Sequence, residues 1–354
     1  MRRRAGHQGR LESRPVVAAL CVVASSAAIV AGCGGSGAST EASRQCNGSA
    51  VLCDRPLNQV VFAATHNSFA GADVPGFRFP EQDAGIPSQL DDGIRGLWID
   101  AYYGIPGNRV YTDTSKINPA LNAQLQKQLG AEFTAAADQI RARIAKPTNA
   151  TPRVYLCHGY CELGAVDAMT AFRQIANFLH QHPDEVLVID IEDYVTPKDM
   201  AELIERSGLG DYVYRGPAGP PWPTLGEMID SNQRVLVMAE HRTAGAPSWY
   251  RRTYDLFQET PFAFRRPSDM SCALNRGRPG NSLFLINNWI STDPKPLKAN
   301  ARIVNAYPFL LARARQCESQ RGLVPNAVTV DFYREGGLLR VVHTLNAAVS
   351  SPPR

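Results

Sequence analysis

Val60-Val61-Phe62-Ala63-Ala64-Thr65-His66-Asn67-Ser68-Phe69 is an apolar run that ends abruptly in a histidine and an amide. Five apolar residues bounded by polar ones predict a short buried strand. In parallel α/β folds, ligands meet the carboxyl ends of the strands, so His66 and Asn67 stand where chemistry is expected. For a lone histidine at such a place, capping a loop is the competing role. What other strands bring to the same rim decides between them.

Outward from this segment, apolar runs alternate with helical patterns. Strands are predicted at 60–64, 96–102, 153–157, 185–191, 234–239, 283–287 and 327–332. Amphipathic stretches separate several of them, clearest at 167–180 and 300–321. In the former, Val166, Met169, Phe172, Ile175, Ala176 and Leu179 recur at helical spacing. Such alternation predicts a parallel sheet, and an eighth strand between 250 and 264 would suit a closed α/β barrel. A doubly wound open sheet is the structural rival. Its dinucleotide-binding form lacks support, because no Gly-x-Gly-x-x-Gly turn follows the first strand.

The amino terminus sets the expected compartment. Five arginines up to Arg14 precede an apolar run that meets Gly32-Cys33, the layout of an export signal. Val30-Ala31-Gly32-Cys33 resembles a bacterial lipobox, which would make Cys33 the lipidated first residue. Domain limits follow: a signal peptide at 1–32, a Gly/Ser-rich tether at 33–45 and one folded domain at 46–354. Without residues 1–32 the chain holds 32 basic and 32 acidic residues, so no nucleic-acid footprint remains.

Six further cysteines fit an exported protein: Cys46, Cys53, Cys157, Cys161, Cys272 and Cys317. They allow fifteen pairings. Proximity favours Cys46–Cys53 and Cys157–Cys161, leaving Cys272–Cys317, with a zinc site as the rival use. A 157–161 bridge would close a tight loop and fix the direction of His158.

Across the strand ends a constellation forms. The first gives His66 and Asn67, the second Asp100, the third His158, the fourth Asp190, Glu192 and Asp193, and the last Asp331. Two histidines suit proton transfer at both ends of a reacting bond. Asn67, Asp100 and Glu192 offer the oxygen ligands that Ca2+ or Mg2+ prefers, and such an ion would offset charge on a phosphoryl oxygen. Asp331 is placed to hold one imidazole in its working tautomer, with helix capping as its other possible use.

Thr65-His66-Asn67-Ser68, Gly93-Ile94-Arg95-Gly96-Leu97-Trp98-Ile99-Asp100, Leu156-Cys157-His158-Gly159 and Val188-Ile189-Asp190-Ile191-Glu192 together resemble the X-region of phosphatidylinositol-specific phospholipases C. The resemblance implies an irregular TIM (β/α)8 barrel. It also implies a general base at His66, a general acid at His158, support from Asp331, and metal-binding positions at Asn67, Asp100 and Glu192. The implied reaction cleaves a phosphodiester lipid at a membrane surface, through attack of the inositol 2-hydroxyl on phosphorus, by a monomeric enzyme. Glycerophosphodiesterase-like or phospholipase D-like chemistry on the same barrel, or a headgroup-binding lipoprotein with weakened turnover, are the alternatives.

Departures are visible as well. Trp98 occupies a position where the metal-dependent branch has a carboxylate, and Tyr102 one where the metal-free branch has an arginine. Met238-Ala239-Glu240-His241 lacks the lysines that relatives use on inositol phosphates. Trp98 is expected in the core, His180 and His182 at an exposed helix end, and His241 and Trp289 outside the site.

Overall fold

The computed structural model describes residues 44–348, apart from 116, 118, 242 and 243. The expected signal peptide, Cys33 and most of the tether lie outside the described residues. Eleven strands are present in chain order: β1 (Phe62–Thr65), β2 (Gly96–Ile105), β3 (Tyr111–Thr112), β4 (Arg153–Leu156), β5 (Val166–Asp167), β6 (Leu187–Asp193), β7 (Val235–Ala239), β8 (Arg251–Arg252), β9 (Phe257–Glu259), β10 (Leu283–Asn288) and β11 (Ala327–Val330). Eight of them make a curled parallel sheet in the order β8-β7-β6-β2-β1-β11-β10-β9. Pairing between β8 and β9 is absent among the described residues, so the barrel is open at one seam. This is the irregular TIM-like architecture, and the poorly patterned stretch 250–264 supplies both short strands at its edges.

Two expectations need correction. The run at 153–157 is not a barrel stave: β4 pairs antiparallel with the long outer half of β2, and β5 pairs with β4. A strand of Val, Tyr and Leu carries no mark of its partner's direction, so the sequence alone could not separate the two uses. The stretch 300–321 is two helices, Lys298–Val304 and Tyr307–Arg321, divided where Pro308 opens the second. Helix Ala168–Gln181 agrees with its pattern, and the Asp167 carboxylate caps it by accepting from Thr170 N–H.

Side-chain alternation splits the core into two layers. Ala63, Leu97, Ile99, Ile189, Val237 and Ile286 face outward and pack with Phe172 and Ile175 of the helical shell. Phe62, Ala64, Trp98, Val188, Leu236, Met238, Phe257 and Leu285 face inward and fill the base of the barrel. Gly96 allows the close approach of β1 and β2, since a Cβ there would lie 2.6 Å from that of Ala64. Trp98 packs edge-on against Phe257, at 6.4 Å and 90°, and belongs to this inner core as its pattern implied. No helix among the described residues is long and apolar enough to cross a membrane.

Candidate active site

The inward parity that is apolar at the base of each strand becomes polar near its carboxyl end. Phe62 and Ala64 lead to His66, Trp98 to Asp100, Val188 to Asp190 and Glu192, Met238 to Glu240, Leu285 to Asn287 and Trp289, and Ala327 to Asp331. These polar ends line one cavity of about 500 Å³. A period of two thus carries the site as well as the core.

Register explains which side chains meet. Thr65 pairs with Val330, so the next residues, His66 and Asp331, lie side by side. The His66 Nδ1–H donates to Asp331 Oδ1 at 2.9 Å, and His66 N–H donates to Val330 O at 3.0 Å. Ala101 pairs with Leu156, which brings His158 back to Asp100, where its Nδ1–H donates to Oδ2 at 2.8 Å. Each imidazole is anchored through Nδ1 on a buried aspartate, leaving Nε2 for chemistry. Both strands turn sharply past their functional residue, through left-handed Asn67 (φ 45°) and Phe332 (φ 47°). A positive φ is costly for a bulky residue such as phenylalanine and tends to mark functional turns.

Asn67 and Glu81 tie the two dyads together. The Asn67 Nδ2 donates to Glu81 Oε2 at 2.9 Å and lies 3.2 Å from His158 Nδ1 and 3.4 Å from His66 Nε2. Glu81 Oε2 is also 3.4 Å from His66 Nδ1. Its loop is pinned by Gln82, whose Nε2 donates to the carbonyls of His66 and Val330. Trp289 stacks flat on His66, with centroids 4.0 Å apart and planes 4° apart, while Phe133 meets His158 edge-on at 5.4 Å.

The charges follow from these contacts. Burial lowers the His66 pKa, but the hydrogen bond and charge of Asp331, with Glu81 and Asp100 beyond, outweigh it and raise the group to about 9. His158 is likewise lowered by burial and lifted more strongly by Asp100, Glu81 and Glu192, to about 10. Both shifts favour the charged form of the imidazole, a tendency that suits an anionic ligand. Glu192 is pushed up to about 8 by burial and by the charges of Asp100 and Glu240. Burial works against the Glu240 carboxylate too, yet the Arg276 guanidinium, 2.6 Å away, holds it below its usual range. Arg276 also binds Glu259 at 2.8 Å, so the cation on the cavity floor is already engaged.

The structure brings His66, His158 and Asp331 into the lining of one cavity. Asp100 and Glu192 face each other in register on β2 and β6. Asn67 is fully buried with an amide oxygen that has no hydrogen-bond partner. Three hard oxygens, one of them orphaned, suit the coordination chemistry of Ca2+ or Mg2+. Asp100 nevertheless serves His158 first, and the Glu192 proton would have to leave for an ion to bind. Among the described residues, the His/carboxylate groups with converging ligand atoms are different sets, His66-Glu81-Asp331 and Glu192-Glu240-His241.

Some residues escaped the sequence. Trp289 was expected outside the site, yet it lies against the first histidine, and the alternation Leu283, Leu285, Asn287, Trp289 contains the signal. Glu81 has no comparable signal: it sits in a Pro/Gly/Phe-rich loop without periodicity. Phe133 and Arg276 come from loops and helices whose return to the cavity no local pattern encodes.

All three favoured disulfides are present: Cys46–Cys53, Cys157–Cys161 and Cys272–Cys317. Two of them yield opposite expectations. Cys157–Cys161 brackets His158 within a separation of four residues, so replacing both by serine should lower kcat, by about 10²-fold for a displacement near 1 Å, and stability by about 2 kcal/mol. Cys272 and Cys317 do not themselves line the cavity, so loss of their bridge, which spans a sequence separation of 45, should cost about 4 kcal/mol with kcat retained. Denaturant melts and steady-state kinetics on the two variants check this crossed ranking.

The PI-PLC X 1 family model matches residues 118–346, a span that includes His158, Glu192 and Asp331 but begins after His66 and Asp100. PI-PLC X domain-containing protein 1 of Arthroderma benhamiae is 24% identical over 322 residues, covering 85% of this chain and 89% of that protein. A protein of the same fungus described as an uncharacterized secreted protein is 25% identical over 323 residues, covering 83% of this chain and 61% of that one. Among solved structures, phosphatidylinositol-specific phospholipase C of S. aureus aligns with a TM-score of 0.48 and 12% identity, over 82% of this chain and 93% of that one.

Proposed function

The chain belongs to the PI-PLC X domain family, and from that premise we propose that it cleaves a phosphodiester lipid by the phospholipase C route, with phosphatidylinositol as the substrate class. The carrying observation is the pair of aspartate-anchored imidazoles, His66 and His158, that line one cavity. His66 Nε2 takes the proton of the inositol 2-hydroxyl, and that oxygen forms a bond to phosphorus. The bond from phosphorus to the glycerol oxygen breaks, and His158 Nε2–H protonates the departing diacylglycerol. The product is a five-membered cyclic inositol phosphate. Water, with the two histidines in exchanged roles, then opens it.

The cavity floor favours an unphosphorylated headgroup. Asp190, Glu192, Glu240 and Glu259 lie about Arg276, and the strand end Met238-Ala239-Glu240-His241 lacks the lysines that eukaryotic relatives use on inositol phosphates. Asn67, Asp100 and Glu192 would hold a divalent ion, which when bound supplies positive charge next to a phosphoryl oxygen. Three disulfides and the similarity to a secreted fungal protein support export. Lipidation at Cys33 is part of the same proposal and rests on the lipobox-like sequence.

Phosphorus NMR of products from phosphatidylinositol vesicles, with Ca2+ and with chelator, tests the reading. A cyclic inositol phosphate signal together with released diacylglycerol is expected. Release of a free headgroup with phosphate retained on the lipid would replace this reading with a phospholipase D-like one. Turnover that survives chelation would remove the ion and leave the two-histidine chemistry intact.

A further inference from the structure

Asp293 belongs to no strand end, yet it connects the two halves of the site. It lies in the loop that follows β10 and carries Trp289. Its Oδ1 accepts from the Phe133 N–H and its Oδ2 from the Glu132 N–H, each at 3.0 Å. Both amides open the helix Ala131–Arg141, whose own N-cap residue is Gly130 and has no side chain to cap with. The helix therefore takes its cap from a residue about 160 positions away in sequence. Glycine leaves the space for it: a Cβ at position 130 would lie 2.2 Å from Asp293 Cγ.

Each partner of this contact carries a ring that touches one histidine. Trp289 covers the face of His66, and Phe133 sets its edge against His158. Asp293, Gly130, Phe133 and Trp289 all line the cavity between them. We infer that Asp293 is a positioning residue: by capping the Phe133 helix from the Trp289 loop, it fixes the separation and tilt of the two imidazoles. The inference rests on the reading of these rings as base and acid, and it explains why a loop carboxylate is spent on a helix end beside the site. Displacing a reacting group by a fraction of an ångström costs rate more than affinity.

The test uses Asp293→Ala and Asp293→Asn in the full chain. Asp293→Ala is expected to lower kcat about 10-fold with KM within about twofold, and Asp293→Asn, which keeps one acceptor oxygen, to lose about threefold. Activity-independent evidence comes from ring-current shifts in histidine-labelled protein. The His66 ring protons should lie upfield under Trp289 and move toward ordinary values in Asp293→Ala, with the melting temperature within a few degrees of the parent. If the alanine variant does not fold, the same two readings on the asparagine variant decide. Parental kcat with an unmoved His66 signal overturns the inference, as does a rise in KM with kcat unchanged. A parent without diesterase activity would sink the proposed function, while the resonance shift would still judge Asp293.

Discussion

Replacing His66 with alanine should lower kcat on phosphatidylinositol by about 10²–10⁴-fold while leaving KM close to its parental value. In the proposed mechanism the imidazole accepts a proton only as the 2-hydroxyl attacks, so its contribution would belong to the transition state rather than to binding. The measurement is best made near pH 9, where a group raised to about 9 is half neutral. A loss confined to KM would instead make His66 a binding group. The side chain is partly open to the cavity and its backbone is held by Val330 and Gln82, so the alanine variant should fold.

Asp331→Asn should cost about 10³-fold in kcat, nearly as much as loss of the histidine it serves. Parallel register places this carboxylate at His66 Nδ1, where in the proposed mechanism it would fix the tautomer and stabilise the imidazolium formed during proton transfer. The sign of the accompanying pH effect is defined. Asp331 raises the His66 pKa, so its removal must lower that pKa, and the rising limb of the kcat/KM profile should move to lower pH. A rate loss without movement of that limb would show that Asp331 is structural. Asp100→Asn should act in the same way on His158, moving the falling limb.

Much of this site was legible because strand ends follow a rule. Period-two alternation and the carboxyl-end principle together pointed to His66, Asp100, Glu192 and Asp331; short separations pointed to two disulfides, and elimination to Cys272–Cys317. His158 was read from the end of its strand although the pairing of that strand was misjudged: it reaches the cavity from β4, which pairs antiparallel with β2. Direction of pairing is a tertiary property, and an apolar run of four residues does not encode it. Asn67 was assigned as a metal ligand from its residue type. The structure adds a first task, joining Glu81 to the two imidazoles, which only the folded loop reveals. Trp289 is the instructive omission, since it continues the inward parity of β10 and was nevertheless expected outside the site. Glu81, Phe133 and Asp293 depend on loops that return to the cavity from afar, where sequence pattern carries no distance information.

Leaving-group dependence in the His158→Ala variant tests the central claim most directly. A general acid matters when the departing alcohol is basic and is dispensable when the departing group is a stabilised anion. The account predicts a loss of about 10²–10⁴-fold on phosphatidylinositol, but a loss under about tenfold on an inositol phosphodiester that releases p-nitrophenolate, while His66→Ala loses comparably on both. Equal losses on the two substrates in His158→Ala, or a selective loss in His66→Ala, would contradict the assignment of acid and base.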